Sequence, residues 1–491
     1  MTADSRAVGP GFLFAALRGA RLDGRQFAAA AVARGAVAIL TDDPAALALA
    51  AEARAGLAII TDVNPARRLA LAAAAFFGRQ PDTIVAVTGT NGKTSVAHFA
   101  REIWQGLGHP AASIGTLGVV TAAGRRAGAL TTPDPVALHR DLAALATAGI
   151  EHAAIEASSH GLAQFRLDGL KVAAAAFTNL TRDHLDYHGD MESYRAAKER
   201  LFTDLLQPGG TAVLNADSAS FARLAALCRE RGHPVLGYGS DPGAALRLLG
   251  RIAEGDGQRL ALNIRGRRFA LRLPLAGAFQ ARNALAALGL AIATGAPIAE
   301  AAAMLARLSG VPGRMQRVAE VNGAAIYVDY AHTPDALATV LAALRPHAAG
   351  RLLVLFGAGG DRDPGKRPLM GEAAGRLADR VYVTDDNPRS EPAAAIRRAI
   401  LAGAPAALEI GDRRAAIAAA IAELRPGDLL VIAGKGHETG QIVGDVIHPF
   451  DDAVVAQQAV NALIGGGGGA EPANPPEIGE PHCGEVPGAV M

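Results

Sequence analysis

The chain has 491 residues, 50% of them hydrophobic, and its 48 basic and 47 acidic residues give a formal net charge of +1. This length exceeds one compact core and predicts about three domains. The balanced charge gives no bulk attraction to nucleic acid or to an anionic membrane, so we expect neither as a partner.

The N-terminal part of the chain, residues 1–80, is predicted to form a small α/β module. Its first residues, MTADSRAVGPGFLF, lack the basic region and apolar run of a secretory signal. Its last helix is predicted to end near Phe77, before a Gly-Arg-Gln-Pro linker at 78–81. The two cysteines, Cys228 and Cys483, form no disulfide framework, so we expect a cytoplasmic protein.

The rest of the chain alternates short β-branched runs with Ala- and Leu-rich helical segments. Runs such as 84–87, 352–356 and 429–432 each end in a glycine-bearing turn, which is typical of buried parallel strands. We therefore predict an α/β fold of three domains, with a central unit at 81–310 and a third unit at 311–464. The apolar stretch at 283–299 is interpreted as a buried helix and a turn, not a membrane span. The glycine-rich end, 465–491, is predicted to be a disordered tail.

The sharpest local signal is a phosphate-binding loop after the run at 84–87. Its sequence is T-G-T-N-G-K-T, from Thr88 to Thr94. Glycines let backbone N–H groups surround phosphate oxygens, Lys93 supplies a positive charge, and the Thr94 hydroxyl can bind Mg²⁺. The general P-loop pattern does not match, because Val87 stands where that pattern has glycine.

Three features of the central unit are ambiguous when taken from the residues alone. Glu156 ends a short apolar strand, where a carboxylate suits Mg²⁺ but is also compatible with an ordinary surface residue. The polar segment 179–188 indicates either a site or a helix cap, with Asp190 well placed to cap the next helix. Lys198 reads locally as an ordinary lysine on a helix surface.

In the third unit, charged or glycine-bearing loops follow three predicted strands. They begin at Gly357, Thr384 and Gly434, and the carboxyl ends of such strands meet at one edge of an open α/β sheet. Arg362 and Arg389 lie in two of these loops and could hold carboxylates through paired hydrogen bonds. Solvated loop charges are the alternative for each loop taken singly.

The ordered set of motifs resembles the Mur ligase family, the ATP-dependent amide ligases of peptidoglycan precursor synthesis. Within the family it is most similar to the branch that adds meso-diaminopimelate, and the resemblance runs from about residue 2 to about residue 460. The motifs are T-G-T-N-G-K-T, L-T-T-P, E-A-S-S-H-G-L, N-L-T-R-D-H-L-D-Y-H, A-R-N-A-L-A-A, G-R-M-Q, D-Y-A-H-T-P-D-A-L, D-N-P-R and G-K-G-H-E.

The resemblance implies roles for individual residues. ATP is expected to contact Gly89, Thr90, Asn91, Gly92, Lys93, Thr94, Ser95, Asn283, Arg314 and Asp329. The catalytic set is expected to be Lys93, Glu156, His184 and a carbamylated Lys198, with Mg²⁺ held by Thr94, Glu156 and Lys198. The UDP-muramoyl dipeptide is expected to contact Ala3, Ser5, Ala20, Arg21, Leu22, Thr131, Thr132, Ser158, Gln164 and Arg166. Meso-diaminopimelate is expected to contact Arg362, Asp386, Asn387, Pro388, Arg389, Gly434 and Glu438.

The implied reaction joins meso-diaminopimelate to the D-glutamate of UDP-MurNAc-L-Ala-D-Glu through an acyl phosphate, with ATP and Mg²⁺. The expected partners are these small molecules, and a monomer without membrane insertion is expected. Arg389 would face the second carboxylate of diaminopimelate, which lysine lacks.

Other functions remain open at this point. Folylpolyglutamate synthase and the ligase that adds D-Ala-D-Ala belong to the same superfamily, and the motifs D-N-P-R and G-K-G-H-E together argue against both. A P-loop kinase or nucleotide switch would use ATP without forming an amide. A non-catalytic regulator is disfavoured because Lys93, Glu156, His184 and Lys198 are retained.

Overall fold

The structure is a computed structural model, and it describes residues 1–19, 22–50, 53 and 56–465. Within these residues, three main sheets are each built from a consecutive part of the chain and flanked by helices. The predicted strands at 84–87, 352–356 and 429–432 all lie in these sheets, so the predicted alternation of strands and helices is confirmed. Of the predicted tail at 465–491, residues 466–491 lie outside the described residues.

The N-terminal sheet has three parallel strands in the order β1-β2-β3. They are β1 (Phe12–Ala15), β2 (Ala36–Thr41) and β3 (Ala58–Thr61), with helices at Ala28–Ala33 and Pro65–Phe77. The second helix begins where the Asn64 side chain accepts a hydrogen bond from the Arg67 N–H, and it ends at Gly78. Arg67 then reaches the central unit, where its Nε lies 3.0 Å from Asp168 Oδ1.

The central sheet has eleven strands in the order β14-β13-β12-β11-β10-β9-β4-β8-β5-β6-β7. The strands are β4 (Thr83–Thr88), β5 (Ala111–Gly115), β6 (Gly118–Thr121), β7 (Gly124–Arg126), β8 (His152–Glu156), β9 (Val172–Phe177), β10 (Leu206–Asn215), β11 (Val235–Gly239), β12 (Leu246–Glu254), β13 (Gly257–Ile264) and β14 (Arg267–Leu273). The helices are Lys93–Gly106, Pro135–Thr147, Ser159–Ala163, Leu185–His188, Met191–Arg200, Phe221–Glu230, Ala278–Ala293 and Ile298–Met304.

The middle of this sheet is parallel, and β4 lies at its centre between β8 and β9. Residues 84–88 of β4 are all buried, as expected for a strand covered by helices on both faces. The carboxyl ends of β4, β8 and β9 therefore open at one edge, where ligands of such sheets bind.

The predicted buried helix in the 283–299 segment is confirmed. The helix Ala278–Ala293 is apolar on nearly all sides and packs on the sheet beside the helix Lys93–Gly106. The chain then turns before the helix Ile298–Met304. None of the described helices combines the length and the hydropathy required to span a bilayer.

The third sheet has six strands in the order β15-β16-β20-β17-β18-β19, and β21 and β22 form a separate hairpin. The strands are β15 (Gln316–Val321), β16 (Ala324–Asp329), β17 (Leu352–Phe356), β18 (Arg380–Val383), β19 (Leu408–Glu409), β20 (Leu429–Ala433), β21 (Gly440–Val443) and β22 (Val446–Pro449). The helices are Pro334–Leu344, Lys366–Leu377, Ala393–Leu401, Arg413–Ala422 and Asp452–Gly465.

One buried ion pair fastens the last helix to this unit. The guanidinium of Arg413 donates to both carboxylate oxygens of Asp452 at 2.7 Å, and both side chains are fully buried. Arg413 also donates to the Ala433 carbonyl at the end of β20. The extra hydrogen bond helps offset the cost of burying the two charges.

Candidate active site

The predicted phosphate-binding loop connects β4 to the helix Lys93–Gly106. Gly89 and Gly92 have φ angles of 144° and 90°. A Cβ at Gly89 would lie 1.9 Å from Thr178 Oγ1, and one at Gly92 would lie 2.5 Å from Asn283 Oδ1. Both positions therefore need glycine for conformation and for space. The same packing places Asn283, predicted from the resemblance alone, beside the loop.

Lys93 closes the loop on itself. Its Nζ donates to the carbonyl oxygens of Gly89 at 2.9 Å and of Thr90 at 2.8 Å. Burial lowers the pKa of Lys93, and the nearby Glu156 carboxylate opposes that shift. The unpaired N–H groups at the start of the helix Lys93–Gly106 add positive potential, so the loop favours an anion such as a phosphate.

Glu156 lies at the end of β8, is 2% exposed, and faces the loop. Its carboxylate accepts hydrogen bonds from Thr94 Oγ1 at 2.9 Å, from the Thr116 N–H at 2.8 Å and from Thr116 Oγ1 at 3.2 Å. Thr116 Oγ1 also lies 3.1 Å from Thr131 Oγ1. Burial raises the pKa of Glu156, and Lys93 opposes that shift. Thr116 was not predicted from the sequence, because it lies outside the recognised motifs and has no charged residue beside it.

Lys198 is not the surface lysine that its local sequence suggests. It is 1% exposed, and its Nζ donates to Gly89 O at 2.9 Å, the same oxygen that Lys93 contacts. The Nζ lies 4.4 Å from the centre of the Tyr194 ring. Burial lowers the pKa of Lys198 well below its usual range, and the charge of Lys93 lowers it further. The site therefore disfavours a second ammonium at this position.

His184 lies among aromatic side chains that include Tyr194, whose ring faces the Lys198 amine. It begins the helix Leu185–His188 with a left-handed φ of 53°. Its ring centre lies 4.8 Å from that of His160 and 6.3 Å from that of Tyr194. Burial lowers the pKa of His160 to about 4, and His184 adds to this effect. Asp190 caps the helix Met191–Arg200, so the predicted capping role is confirmed.

Four of the predicted dipeptide contacts form one hydrogen-bonded group beside Glu156. Thr132 Oγ1 donates to Ser158 Oγ at 3.0 Å. Arg166 donates from Nη1 to Thr132 O at 2.7 Å and from Nη2 to Gln164 Oε1 at 2.6 Å. Burial lowers the pKa of Arg166. The structure thus brings these residues together at the open edge of the central sheet.

The predicted ATP residues of the third unit lie where it meets the central unit. Asp329 ends β16, and its Oδ2 accepts from the Met315 N–H at 2.7 Å. The Arg314 guanidinium lies 4.6 Å from the centre of the Tyr330 ring. Burial raises the pKa of Asp329, and the positive charge of Arg314 opposes that shift. The same charge lowers the pKa of Glu156. The Arg314 guanidinium thus lies over Tyr330 and adds positive charge near both Asp329 and Glu156.

The strand-end loops of the third unit meet as predicted. Asn387 donates from Nδ2 to Glu438 Oε2 at 2.9 Å, and the buried Lys435 donates to Asn387 Oδ1 at 3.0 Å and to Glu438 Oε2 at 3.2 Å. Gly434 has a φ of 110°, and a Cβ there would lie 2.7 Å from Asp386 Oδ2. Sequence reasoning missed Lys435, although it lies inside the G-K-G-H-E motif.

Arg389 is held in an unusual backbone conformation at this edge. Its φ is 52°, and its N–H donates to Ile442 O at 3.1 Å. One guanidinium nitrogen, Nη1, donates to Gly360 O at 2.8 Å. The neighbouring Pro388 is buried, and its carbonyl would lie 1.9 Å from a Cβ at Gly360. The loop is thus packed tightly enough to fix the direction of the arginine.

Arg362 and Gln441 also lie at this edge of the third sheet. Arg362 is exposed and, among the described residues, donates only to the carbonyl of Asp361, so its position is less restrained than that of Arg389. Gln441, on β21, donates to Asp386 O at 2.8 Å. Sequence reasoning missed Gln441, because nothing in the local pattern ties the hairpin to the D-N-P-R loop.

The predicted UDP contacts are only partly described. Ala3 and Leu22 are exposed, and Ser5 starts a short 3₁₀ turn capped by Asp4. Ala20 and Arg21 lie outside the described residues. Within the described part of the chain, no hydrogen bond or ion pair joins Ala3, Ser5 or Leu22 to the nucleotide loop.

Comparisons with known proteins cover nearly the whole described chain. Family models match over residues 1–77 (Mur ligase family, catalytic domain), 87–291 (Mur ligase middle domain) and 313–436 (Mur ligase, glutamate ligase domain). These matches, together with the three sheets, confirm the predicted three-domain α/β fold.

Individual relatives agree with the family models. A UDP-N-acetylmuramoyl-L-alanyl-D-glutamate–2,6-diaminopimelate ligase of Bradyrhizobium diazoefficiens is 56% identical over 94% of both chains. One of the same name from Caulobacter vibrioides is 54% identical, over 94% of this chain and 95% of the relative. A solved structure of a ligase with this name is 35% identical, covers 94% of both chains and has a TM-score of 0.70. The chain therefore belongs to the Mur ligase family.

Proposed function

We propose that this enzyme is an ATP-dependent amide ligase that adds meso-diaminopimelate to the D-glutamate of UDP-MurNAc-L-Ala-D-Glu. The products would be the UDP-MurNAc tripeptide, ADP and phosphate. The observation that carries the proposal is the 56% identity, over 94% of both chains, to a ligase named for this reaction. The arrangement of charged groups at the two sheet edges supports it.

ATP is proposed to bind with its phosphates in the loop from Gly89 to Ser95. The loop N–H groups and the start of the helix Lys93–Gly106 would hold the phosphate oxygens. Lys93 would exchange its two carbonyl contacts for the outer phosphates, because a phosphate carries full negative charge and a carbonyl does not. Asn283 and Arg314 would contact the nucleotide from two other elements, and Asp329 would contact the ribose.

The residues around Glu156 fit a magnesium ion. A buried carboxylate and the Thr94 hydroxyl lie 2.9 Å apart beside the phosphate loop, and Mg²⁺ prefers oxygen ligands of this kind. Burial raises the pKa of Glu156, so a bound cation would stabilise its charged form. When bound, Mg²⁺ would neutralise charge that develops on the phosphate oxygens.

Lys198 is proposed to act as a carbamate. Its buried amine shares one carbonyl oxygen with Lys93, a setting that favours the neutral amine. The neutral nitrogen would attack CO₂ and release one proton, which leaves an anionic carbamate. This group would help hold a second Mg²⁺ and would face Lys93 as an anion. His184 would lie beside the same group.

The acceptor carboxylate is proposed to lie between Arg166 and the phosphate loop. The D-glutamate carboxylate would attack the γ-phosphorus of ATP, the bond to the bridging oxygen would break, and ADP would leave. Both reactants are anionic, so Lys93 and Arg166 would lower their mutual repulsion. Thr131, Thr132, Ser158 and Gln164 would hold the dipeptide part.

Diaminopimelate is proposed to bind at the edge formed by the D-N-P-R and G-K-G-H-E loops. Its amino group would attack the acyl phosphate, lose a proton and displace phosphate, which forms the amide bond. Arg389 would bind the carboxylate at the far end of the molecule. The remaining contacts would be Arg362, Asp386, Asn387, Pro388, Gly434 and Glu438.

The N-terminal unit is proposed to hold the UDP end of the acceptor. The UDP end of the acceptor would bind the N-terminal unit at Ala3, Ser5, Leu22 and the neighbouring Ala20 and Arg21. Domain boundaries are proposed at 80/81 and 310/311, with the third unit ending at 464. We further propose that the enzyme acts as a monomer in the cytoplasm.

The test is product analysis by mass spectrometry. The purified enzyme is incubated with ATP, Mg²⁺, UDP-MurNAc-L-Ala-D-Glu and meso-diaminopimelate. We expect a species equal to the nucleotide substrate plus diaminopimelate minus water, and no such species with Lys93→Ala. Hydrolysis of ATP without this species would indicate a phosphohydrolase or kinase and would overturn the proposal.

A further inference from the structure

A group of side chains with metal-ligating atoms lies on the central unit, at the end of β4 opposite the loop Thr88–Thr94. His109, Glu151 and His152 each offer one ligand atom, and these atoms all lie within 4.8 Å of one another. His109 Nδ1 is 3.6 Å from Glu151 Oε2, and the two imidazole ring centres are 4.8 Å apart. Ligand atoms around a four-coordinate metal lie about 3.4 Å apart at metal–ligand lengths of about 2.1 Å, so modest side-chain rotation closes this set.

The backbone holds the three residues in fixed relation. His109 precedes β5, while Glu151 and His152 lead into β8, and β5 and β8 are paired in parallel. The Pro110 carbonyl accepts from the N–H groups of both Glu151 and His152, at 3.0 and 3.2 Å. The main-chain part of the site is thus preorganised, and only two exposed side chains, His109 at 47% and Glu151 at 51%, need to adjust.

The third member supplies a polar atom that lacks a partner. His152 Nδ1 is shielded from solvent and, among the described residues, has no hydrogen-bond partner. Such an atom calls for an explanation, and an ion or a water is the usual one. The His152 ring also lies 5.0 Å from the ring of Trp104, which is 1% exposed. The buried indole limits the ring's movement.

The position of the group separates it from the nucleotide chemistry. The Thr83 N–H at the start of β4 donates to Glu151 O at 2.9 Å, whereas the phosphate loop begins after the other end of β4, at Thr88. Five residue steps of a parallel strand span about 16 Å. A metal at this edge therefore would not touch ATP.

We propose that His109, Glu151 and His152 form a binding site for a divalent transition-metal ion. Two imidazoles and one carboxylate suit Zn²⁺, Ni²⁺ or Cu²⁺ and not Mg²⁺, which prefers oxygen. Three protein ligands leave a coordination position for water or another small ligand. A bound ion links the starts of β5 and β8 and stabilises the folded central unit by mass action.

The chain carries its own reporter, because Trp104 is its only tryptophan. We would titrate the tag-free, chelator-treated full chain with Cu²⁺ while following tryptophan fluorescence, and then add Zn²⁺ in competition. The expected result is saturable quenching at one ion per chain that Zn²⁺ reverses and that an excess of Mg²⁺ does not affect.

Variants decide whether these residues form the site. His109→Ala and Glu151→Gln alter exposed side chains, so both variants should fold. Each should raise the Cu²⁺ concentration at half-maximal quenching, the midpoint, at least tenfold. His448→Ala, at another exposed histidine, is the matched control and should leave the midpoint unchanged. A second control, His482→Ala with Cys483→Ser, removes the imidazole and thiol ligands near the C-terminus.

The proposal is overturned by three outcomes. These are absence of saturable quenching, an unchanged midpoint in His109→Ala and Glu151→Gln, and loss of quenching only when His482 and Cys483 are changed. Ligase activity of His109→Ala should equal that of the unaltered enzyme, which separates this site from the proposed reaction.

Discussion

Replacing Arg389 with alanine should remove the preference for diaminopimelate. Nη1 of Arg389 is already bonded to Gly360 O, and its other guanidinium nitrogens have no partner among the described residues. They remain free to bind a carboxylate with two parallel hydrogen bonds. Charge-assisted bonds contribute about 1.5–3 kcal/mol each, and solvent access to a half-buried group reduces the pair to about 3 kcal/mol in total. This corresponds to a loss of about 150-fold in kcat/KM for diaminopimelate.

The assay is steady-state phosphate release with diaminopimelate varied and ATP saturating, and then the reverse. The KM for ATP should stay within about threefold, because Arg389 lies in the third unit and does not contact the phosphate loop. Arg398→Ala, at an exposed arginine on the helix Ala393–Leu401, is the matched control and should behave like the unaltered enzyme. Arg389→Lys should have an intermediate kcat/KM for diaminopimelate, because lysine keeps the positive charge but cannot donate two parallel hydrogen bonds. Equal losses for ATP and diaminopimelate in Arg389→Ala would refute the reasoning.

Four further predictions concern other parts of the molecule. Glu156→Gln should raise the Mg²⁺ concentration needed for half-maximal phosphate release at least tenfold, since it removes a buried anion at the proposed ion; an unchanged Mg²⁺ dependence would contradict that assignment. Lys198 should give a carbamate ¹³C signal with ¹³C-bicarbonate, because burial lowers the pKa of its amine and so favours the neutral form that reacts with CO₂. The signal should fade as the pH is lowered and should be absent in Lys198→Arg; a signal retained in that variant would assign the carbamate elsewhere. Asp452→Ala should lower the free energy of unfolding by about 3–5 kcal/mol, because it leaves the charge of Arg413 buried and unpaired, and a loss below about 1 kcal/mol in urea unfolding would argue against the pair. The third unit should close on the central one when nucleotide and acceptor bind, and solution scattering without compaction would count against closure.

The sequence predicted well where the chemistry is local. The phosphate loop, the strand at 84–87 and the cap at Asp190 each depend on residues within a few positions of one another, and the structure has all three. The strand-end loops of the third unit were also predictable, because parallel strands bring their carboxyl ends to one edge.

The sequence predicted poorly where burial depends on distant packing. Lys198 lies on a helix of polar composition, and only the approach of Gly89 makes it a buried amine. Asn283 looks like one polar residue in an apolar helix until the close fit against Gly92 is known. Thr116 and Gln441 are ordinary residues by type, and their contacts with Glu156 and Asp386 arise from the fold. For Lys198 and Asn283, only the family resemblance gave a signal.

The most direct test of the central claim is amino-acid-dependent phosphate release. The purified enzyme would be given ATP, Mg²⁺ and UDP-MurNAc-L-Ala-D-Glu with meso-diaminopimelate, with L-lysine or with no amino acid. The account predicts sustained release with meso-diaminopimelate alone. Release with lysine at a comparable rate would contradict the role of Arg389, and release that is independent of any amino acid would contradict the ligase itself.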